Sequence, residues 1–380
     1  MSQRSYLDYN ATAPLREEVR EAMTAALALY GNPSSVHAEG RAARAAIETA
    51  RAQVAALVGA RPEDVIFTSG GTEANALALA AQSSEAWHRY ISAVEHPSVL
   101  AGGRFHRETT TRIPVTADGV IELDFLAKEL ERHHLRGWRP FVSLMAANNE
   151  TGAVQPVAET SKIVHSAGGL LHTDAVQAAG RIKLDMTVLG ADMLSLSAHK
   201  IGGPKGAGAL VLGNGVSVEP LIKGGAQERR RRAGTENVAG IVGFGIAAEL
   251  AAADLANVGA LAKLRDEFED GVRALAPDAV VLSAHVARLP NTSCIAVPGA
   301  KAETLVIGLD LAGVAVSSGS ACSSGKVEAS HVLSAMGVPA ELAQGAIRVS
   351  LGFATKRDDI ERFLRAFEEL IKRLRPKVAA

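Results

Sequence analysis

Short apolar runs alternate with stretches of helical periodicity along much of the chain. The apolar runs hold four or five residues and end in glycine or polar residues, which is typical of buried strands. They predict strands at 65–68, 90–94, 141–145, 170–173, 193–196 and 208–212. Because strands that alternate with helices usually form parallel sheets, the pattern predicts an α/β fold with a mostly parallel sheet.

The predicted helices carry apolar residues on one face at intervals of three and four positions. They span 14–31, a stretch that ends near 58, 156–167, 237–253, 258–274 and 357 to about 374. The first is expected to begin at Pro14 and to stop at Gly31. Its apolar face would comprise Val19, Met23, Ala26, Leu27 and Tyr30.

The length of the chain favours two domains. With 380 residues it is long for a single hydrophobic core. We expect a large domain at 15–255 and a small domain that combines 1–14 with 256–380. The candidate strands of the small domain lie at 279–282, 292–297, 314–317 and 346–350.

Composition and charge argue against several classes of function. A net charge of −1 disfavours bulk binding of nucleic acid. The first residues are too polar for a signal peptide and no apolar run reaches the length of a membrane span, so we expect a cytoplasmic protein. Cys294 and Cys322 can form neither a disulfide framework nor a cysteine zinc site. The basic cluster 229–232 fits a solvated loop, or else an edge that docks a partner or an anion.

Lys200 is the first candidate for chemistry, because it follows a predicted buried strand and precedes a glycine-rich turn. Burial lowers the pKa of a lysine and so favours its unprotonated amine. This amine is a nucleophile that can bind a carbonyl cofactor as a Schiff base. Taken alone, the residue fits a solvated loop lysine better. The neighbouring strand ends therefore decide its interpretation.

Polar residues also stand at the carboxyl ends of the other predicted strands, where ligands lie in open α/β sheets. They are Gly71 and Thr72, His96, Asn149, Asp174 with Gln177, and Ser197 with His199. The Gly71-Thr72 pair begins a helix whose N–H groups favour a phosphate, although a plain tight turn explains it equally well. Ser197 and His199 could donate further hydrogen bonds to the same phosphate.

Asp174 and His96 each have two interpretations. Asp174 ends an apolar strand, where its carboxylate needs either a protonated ring nitrogen or a helix N-terminus as partner. His96 precedes a proline and is either an acid–base or stacking group or a satisfied core histidine.

Further candidates lie toward the C-terminus. Cys322 lies in a serine- and glycine-rich segment typical of a mobile thiol, so it is either a nucleophile or an inert loop cysteine. Cys294 lies in an apolar strand and is interpreted as a core residue. Arg348 lies inside a predicted strand and needs an anionic partner, either a substrate carboxylate or an internal acid.

Taken in order, these motifs resemble those of the cysteine desulfurases of the NifS/IscS-like group, which are pyridoxal-phosphate (PLP) enzymes with the aspartate aminotransferase fold. The resemblance covers nearly the whole chain. Its most specific stretches are 95–97, 148–152, 172–177, 199–200, 232–237 and 317–322. It implies PLP as cofactor, L-cysteine as substrate, and L-alanine with an enzyme persulfide as products.

The resemblance implies a cofactor role for most of the strand-end residues. Lys200 would carry PLP, Asp174 would pair with its ring nitrogen, and His96 would stack on the ring and transfer protons. Gln177 would bond the ring hydroxyl, and Asn149 would also lie in the cofactor site. The residues implied to hold the phosphate are Gly71, Thr72, Ser197, His199 and, from the neighbouring subunit of a homodimer, Thr235.

The resemblance also implies the path of the sulfur. Asn10, Asn149 and Arg348 would bind the substrate, Arg348 through its carboxylate. Cys322 would attack the substrate sulfur and pass it to an acceptor, such as an iron–sulfur scaffold or a tRNA-thiolation protein. No resident metal is implied, although Cys322 could transiently ligate a cluster.

Three positions depart from the usual pattern of the group. Ala198 and Arg230 stand where glycine is common, and Ala226 stands where histidine or glycine is common. Two alternatives stay open: another PLP enzyme of this fold, such as an aminotransferase or a selenocysteine or cysteine-sulfinate lyase, and an interaction protein that has lost turnover. Cys322 argues against an aminotransferase, which needs no mobile thiol.

Overall fold

The computed structural model of the chain describes residues 4–80, 87–101, 107–134, 137–318 and 330–374. The described strands are β1 (Ser5–Tyr6), β2 (Val65–Thr68), β3 (Trp87–Ser92), β4 (Thr110–Ile113), β5 (Arg139–Ser143), β6 (Leu170–Asp174), β7 (Met193–Ser197), β8 (Gly208–Leu212), β9 (Val280–Val281), β10 (Thr292–Ala296), β11 (Val314–Ala315), β12 (Ser317–Ser318) and β13 (Ala346–Ser350). The described α-helices are α1 (Glu17–Ala26), α2 (Ala38–Leu57), α3 (Gly71–Ala80), α4 (Pro97–Leu100), α5 (Leu123–His134), α6 (Val157–Ser166), α7 (Met186–Leu189), α8 (Val238–Asp254), α9 (Val258–Leu275), α10 (Ala302–Leu311), α11 (His331–Ala335), α12 (Ala340–Ala343) and α13 (Arg357–Leu374).

The central sheet has seven strands in the order β2-β8-β7-β6-β5-β3-β4. Strand β8 runs antiparallel to both of its neighbours, and the other pairs in the sheet are parallel. The predicted α/β fold with a mostly parallel sheet is therefore confirmed. The carboxyl ends of β3, β5, β6 and β7 lie along one edge, which places the predicted polar strand ends next to each other.

Both faces of this sheet are buried, which explains the continuous apolar runs. Successive residues of a strand point to opposite faces. In β7, Met193 and Leu194 accordingly belong to two different hydrophobic clusters, as do Leu210 and Val211 in β8. A sheet covered by helices on both faces reads in the sequence as unbroken hydrophobic strands.

A second sheet lies in the C-terminal part of the chain. Its strands are antiparallel and follow the order β12-β13-β10-β9. Helices α9, α10 and α13 contribute to a separate hydrophobic cluster, which contains Phe268, Leu305 and Phe363. The predicted division into 15–255 and 1–14 with 256–380 stays a prediction.

The N-terminal residues join the two sheets. Strand β1 pairs in parallel with β11 in a separate two-stranded sheet, and Asp8 forms a single bridge with Ser350 at the end of β13. Five residues later, Ala13 N–H donates to the carbonyl oxygen of His199 over 2.8 Å. We call residues 8–12 the N-terminal arm; it connects the second sheet to the edge of the central one.

Several predicted element boundaries were wrong. Helix α1 ends at Ala26, so Leu27 and Tyr30 do not share its buried face; their exposed fractions are 75% and 84%. Because the chain turns before Gly31, neither side chain packs in the core. The strand predicted at 314–317 is split into two short strands, β11 and β12.

Strands β3 and β5 begin and end earlier than the apolar runs predicted at 90–94 and 141–145. Polar residues occupy their amino ends, among them His88 and Arg89 in β3 and Arg139 in β5. The last apolar residues of each predicted run continue beyond the ladder toward the edge of the sheet. Hydrophobicity therefore marked burial there and not the extent of strand pairing.

The continuous helical stretch Val238–Leu275 corrects the expectation that no apolar run reaches membrane-spanning length. By length and composition alone it could cross a membrane, and 44% of its most apolar window is buried inside the protein. Helix α8 lies in the core against α1 and α2. A Cβ at Gly245 would lie 2.6 Å from the Ala50 Cα, so glycine permits this close helix packing. The apolar composition serves helix packing.

The turn at 228–230, which comes after α7 and β8 in the chain, has a strained backbone. Three consecutive residues, Glu228, Arg229 and Arg230, have positive φ angles of 44°, 57° and 66°. The Glu228 carboxylate is buried and accepts from the Arg51 guanidinium at 2.7 and 2.9 Å and from Phe67 N–H at 2.9 Å. This buried ion pair holds the turn in a conformation that side chains disfavour.

Replacing Arg230 with glycine should stabilise the protein. Glycine adopts a left-handed backbone without the steric cost of a Cβ, so Arg230→Gly should raise the free energy of unfolding by about 1 kcal/mol. Urea denaturation measures this change. The control is Arg44→Gly on the exposed face of α2, which should lower the free energy of unfolding by about 1 kcal/mol. Equal losses in both variants would contradict the argument.

Candidate active site

A cavity of ≈ 380 Å³ lies at the carboxyl edge of the central sheet. It brings together most of the candidates that the sequence placed at strand ends. Those that line it are Asn10, Gly71, Thr72, His96, Asn149, Asp174, Gln177, Ser197, His199, Lys200 and Arg348. Because they come from segments as far apart as the N-terminal arm and β13, this convergence favours a ligand site over separate structural roles.

Lys200 lies in a short 3₁₀ turn, Ala198–Lys200, directly after β7. Its Nζ donates to the carbonyl oxygens of Asn10 at 2.6 Å and Ala11 at 2.8 Å. The side chain is half-buried. The solvated-loop interpretation is therefore wrong, because the amine is held in the cavity by the N-terminal arm.

Asp174 ends β6 and is buried. One carboxylate oxygen accepts from Asn75 Nδ2 at 2.7 Å, and the other accepts from Val176 N–H at 3.0 Å. The second bond closes a turn, and residues 175–180 form no helix, so the helix N-terminus that was the alternative partner is not found there. The carboxylate lines the cavity, and its pairing with a ring nitrogen stays a prediction.

The sequence analysis missed Asn75. It is buried on α3, and its Nδ2 also donates to Ser98 Oγ at 2.9 Å. Its Oδ1 is buried without a hydrogen-bond partner among the described residues. A polar residue inside an alanine- and leucine-rich helix was the available signal, since burial of a side-chain amide needs a polar partner.

His96 lies at the end of the segment that follows β3, where it caps α4. Its Nδ1 accepts from Ser98 N–H at 3.2 Å and lies 2.7 Å from Ser98 Oγ. Burial lowers the pKa of His96, although the Asp174 carboxylate acts in the opposite direction. A neutral imidazole on the cavity wall can stack on a flat ring and take up a proton.

The N-terminus of α3 forms one end of the cavity. Gly71 begins this ten-residue helix, and Thr72 follows it. A Cβ at Gly71 would lie 3.0 Å from Val176 Cγ2 and 3.4 Å from Ser197 Cβ, so little space remains for a side chain. Free N–H groups and the positive end of the helix dipole make this place suitable for an anion.

His199 lies beside this anion-binding end. Its Nδ1 lies 3.1 Å from Thr12 Oγ1. Burial, together with Lys200 and Lys205, lowers the pKa of His199 to about 4. The imidazole is therefore neutral at pH 7 and acts as a hydrogen-bonding group.

Arg348 lies on β13, and its buried side chain reaches the cavity. Its Nη2 donates to Asp8 Oδ1 at 2.8 Å, and its Nη1 donates to the Asn149 carbonyl oxygen at 3.1 Å. The internal acid that the sequence analysis kept as an alternative is thus Asp8. Nε is buried without a hydrogen-bond partner among the described residues, which leaves a donor for a further anion.

Asn10 connects the substrate end of the cavity to the second sheet. Its Nδ2 donates to Thr292 Oγ1 at 3.0 Å and to the Asn149 carbonyl oxygen at 3.2 Å. Its Oδ1 accepts from Asn291 Nδ2 at 3.1 Å. With all these bonds made, Asn10 is fixed in place beside Arg348.

Glu95 is a second residue whose role the sequence analysis missed. It is fully buried, and its Oε1 accepts from Met145 N–H at 2.5 Å. Burial, reinforced by the Asp174 carboxylate, raises the pKa of Glu95 to about 8. The residue therefore holds a proton at neutral pH, next to the segment that carries His96.

Among the described residues, one predicted site residue, Thr235, does not line this cavity. Thr235 is exposed, which is compatible with its expected role toward a neighbouring subunit. Cys322 lies outside the described residues. Cys294 is buried in β10, and burial raises the pKa of its thiol to about 12, in agreement with a core cysteine.

The basic cluster 229–232 is bonded to its own chain. Arg229 and Arg231 each donate to the carbonyl oxygen of Glu63, and Arg232 pairs with Glu73 at 2.9 Å. The interpretation as a purely solvated loop is therefore incomplete. Ala226 and Arg230 lie in the same exposed region.

The chemistry of the cavity fits PLP. An anion-binding helix terminus, a buried carboxylate and a primary amine are three complements to PLP: its phosphate, its ring nitrogen and its aldehyde. Gly71, Asp174 and Lys200 provide them, and all three line this cavity. Asn75 lines it as well, and its Oδ1 has no hydrogen-bond partner among the described residues, so it can still accept a hydrogen bond.

Comparisons with known proteins agree with this fit. Residues 5–363 match the model of the family "Aminotransferase class-V". The chain is 47% identical to a cysteine desulfurase of Cereibacter sphaeroides, covering 98% of this chain and 97% of that one. It is 44% identical to the cysteine desulfurase IscS of Dictyoglomus turgidum, with coverage of 99% and 96%. A NifS-like protein from Rickettsia africae superposes with a TM-score of 0.88 at 36% identity, covering 97% of this chain and 100% of that one.

These matches confirm the resemblance to the NifS/IscS-like group and the PLP-dependent fold that it implied. They favour a cysteine desulfurase over an aminotransferase or a lyase of the same fold. The roles of the individual site residues remain predictions.

The raised pKa of Glu95 predicts a pH-dependent loss of stability. In the folded protein, Glu95 keeps its proton up to about pH 8. In the unfolded chain it releases the proton at about pH 4.3, the usual pKa of a glutamate side chain. The native state therefore binds more protons between these values, and its stability falls as the pH rises. Glu95→Gln should remove this fall.

Thermal unfolding measures the effect. The melting temperature of Glu95→Gln, minus that of the parent, should increase between about pH 6 and about pH 8 and then level off. The control is Glu63→Gln, which alters an exposed carboxylate and should show a flat difference. A flat difference for Glu95→Gln would show that its proton is lost at an ordinary pH.

Proposed function

Since the chain belongs to the class-V aminotransferase family and is a PLP-dependent cysteine desulfurase, we propose how its residues divide the work of removing sulfur from L-cysteine. The convergence of Lys200, Asp174, His96 and Arg348 on one cavity is the observation that carries the assignment. The proposal covers the residues, the subunit arrangement, the sulfur acceptor and the cellular location.

Seven residues of the same subunit would hold the cofactor. Gly71, Thr72, Ser197 and His199 bind its phosphate at the N-terminus of α3, where N–H groups and the helix dipole favour an anion. Asp174 pairs with the protonated ring nitrogen, and Gln177 donates to the ring oxygen. Lys200 forms the covalent link. When bound, PLP supplies an electron sink for the electron pair left on the substrate as bonds to its Cα and Cβ break.

Lys200 would also move the substrate proton. As an unprotonated amine, its Nζ would accept the Cα proton of the substrate. The carbonyl oxygens of Asn10 and Ala11, at 2.6 and 2.8 Å, then accept hydrogen bonds from the ammonium group that results. His96 is the second proton carrier, because its imidazole is neutral in this buried position.

Arg348 would bind the substrate carboxylate. Asp8 and the Asn149 carbonyl hold two of its N–H groups, and the unpartnered Nε remains for an anion. A guanidinium can bind a carboxylate through two parallel hydrogen bonds. Asn10 and Asn149 lie on the same side of the cavity and orient the substrate there.

Cys322 would accept the sulfur. Its thiolate Sγ attacks the substrate sulfur, a sulfur–sulfur bond forms, and the carbon–sulfur bond breaks, which leaves a persulfide on Cys322 and alanine as the other product. We place Cys322 in the small domain, made of 1–14 and 256–380, and the large domain at 15–255. The acceptor of the persulfide would be an iron–sulfur scaffold or a tRNA-thiolation protein.

A homodimer would complete the site. Three apolar side chains between α1 and α2 are exposed by more than two thirds: Leu27, Tyr30 and Val36. An apolar group of this kind favours a partner surface. Thr235, which is exposed, would reach the phosphate in the neighbouring subunit. A cytoplasmic location is supported by the need to keep Cys322 as a free thiol.

Sulfur mapping tests the role of Cys322. We expect that the PLP-loaded protein, treated briefly with L-cysteine without reductant, gains one sulfur on Cys322, and that Cys322→Ala gains none. Intact mass followed by peptide mapping detects the change. The control is Cys294→Ala, since Cys294 is buried and should not react. An unmodified Cys322 in protein that contains PLP would reject it as the sulfur acceptor.

Light scattering tests the dimer. Tyr30→Asp puts a charge on the exposed apolar group, so we expect a lower molar mass and loss of PLP, because each site would lose the Thr235 of its neighbour. The control is Leu311→Asp on α10, where the side chain is 83% exposed but lies on the small domain. A Tyr30→Asp variant with the mass and PLP content of the parent would contradict this interface.

A further inference from the structure

Arg181 is a buried arginine that has no part in the function proposed above. It lies seven residues after the end of β6 and is 8% exposed. Its Nη1 donates to the carbonyl oxygen of Gln177 at 2.9 Å and also to Gln177 Oε1. Its Nη2 donates to the Tyr9 carbonyl oxygen at 3.4 Å.

Arg181 also lines a second cavity of ≈ 220 Å³, which lies behind Lys200. Arg16, Asp254 and Phe353 line the same cavity. Arg16 pairs with Asp254 and lies 3.9 Å from the centre of the Phe353 ring, so its charge is compensated within this cavity. Arg181 thus stands between the two cavities, with Gln177 on the cofactor side.

The bonds of Arg181 fix the orientation of the Gln177 amide. A guanidinium only donates hydrogen bonds, so the amide atom that faces Arg181 must be Oε1. On its other side, Gln177 Nε2 donates to the carbonyl oxygen of Asn10 at 3.0 Å, and a carbonyl only accepts. Both neighbours therefore require the same orientation, which leaves the second N–H of Gln177 Nε2 as a donor for the cofactor cavity.

None of these hydrogen bonds of Arg181 goes to a carboxylate that would compensate its charge. All three acceptors are neutral oxygen atoms. Burial, with a smaller effect of Arg348, lowers the pKa of Arg181 to about 9, so it remains a cation at neutral pH. The charged groups around it are Arg348 on β13, Lys200 after β7, and the compensated pair of Arg16 with Asp254.

We propose that Arg181 is a positioning residue for the cofactor. It holds Gln177 as a donor to the ring oxygen of PLP, and its buried positive charge disfavours uptake of a further proton by the bound cofactor. The inference rests on the proposed function, since it takes Gln177 as the partner of the PLP ring oxygen. Arg181 itself makes no contact with the cofactor cavity among the described residues.

The test is a pH titration of the absorbance of bound PLP in the holoenzyme. Arg181→Met removes both the donor and the charge, so the pH midpoint of the absorbance change should rise by about one unit. A milder variant, Arg181→Gln, keeps an N–H donor and removes the charge; its midpoint should also rise. This readout is independent of turnover, and loss of a merely structural residue would not shift it in one direction.

The matched control is Arg288→Met. The side chain of Arg288 is 7% exposed, but it pairs with Glu269 at 2.7 Å and lines neither of the two cavities. Its removal should destabilise the fold and leave the midpoint unchanged. If Arg181→Met does not fold, Arg181→Gln alone decides the result. A midpoint equal to that of the parent in the folded Arg181 variants would overturn the inference.

Two further variants separate this failure from a failure of the proposed function. Lys200→Ala should lose the covalently bound chromophore. Gln177→Leu should shift the pH midpoint of the absorbance change. If the Lys200 and Gln177 variants behave in this way while those at Arg181 do not, only the inference about Arg181 fails. If the Lys200 variant retains the parent absorbance, the cofactor assignment itself is wrong.

Discussion

The backbone carbonyl of Asn10 is the point on which the site depends. It accepts a hydrogen bond from Lys200 Nζ at 2.6 Å and another from Gln177 Nε2 at 3.0 Å. A carbonyl oxygen has two lone pairs, so this one atom can hold the amine and the amide together. The N-terminal arm therefore provides backbone carbonyl oxygens as fixed hydrogen-bond acceptors in the cavity.

The arm can do this because both of its ends are held. Asp8 pairs with Arg348 and bridges Ser350, and the following Thr12 and Ala13 contact the segment that carries His199. The two sheets are thus joined beside the cavity that Lys200 and Arg348 line.

Burial sets the protonation of the groups around the cavity. It lowers the pKa of His96 and of His199, and it raises the pKa of Glu95. Each shift favours the neutral form, because transfer of a charge away from water is costly. The charges that remain near the cavity are held by specific partners, such as Asp8 for Arg348 and Asn75 for Asp174.

The sequence by itself determined the fold class and most of the polar residues that line the cavity. Apolar runs with polar ends predicted the sheet, and a parallel sheet places those ends at one edge, so Lys200, Asp174 and His96 could be grouped without coordinates. Only the tertiary structure decided the partners: Asp8 for Arg348, Asn75 for Asp174, and Arg181 for the orientation of Gln177. The physical reason is that a buried polar group needs a hydrogen-bond partner, and the sequence can indicate this need. The identity of the partner follows from contacts between residues far apart in the chain.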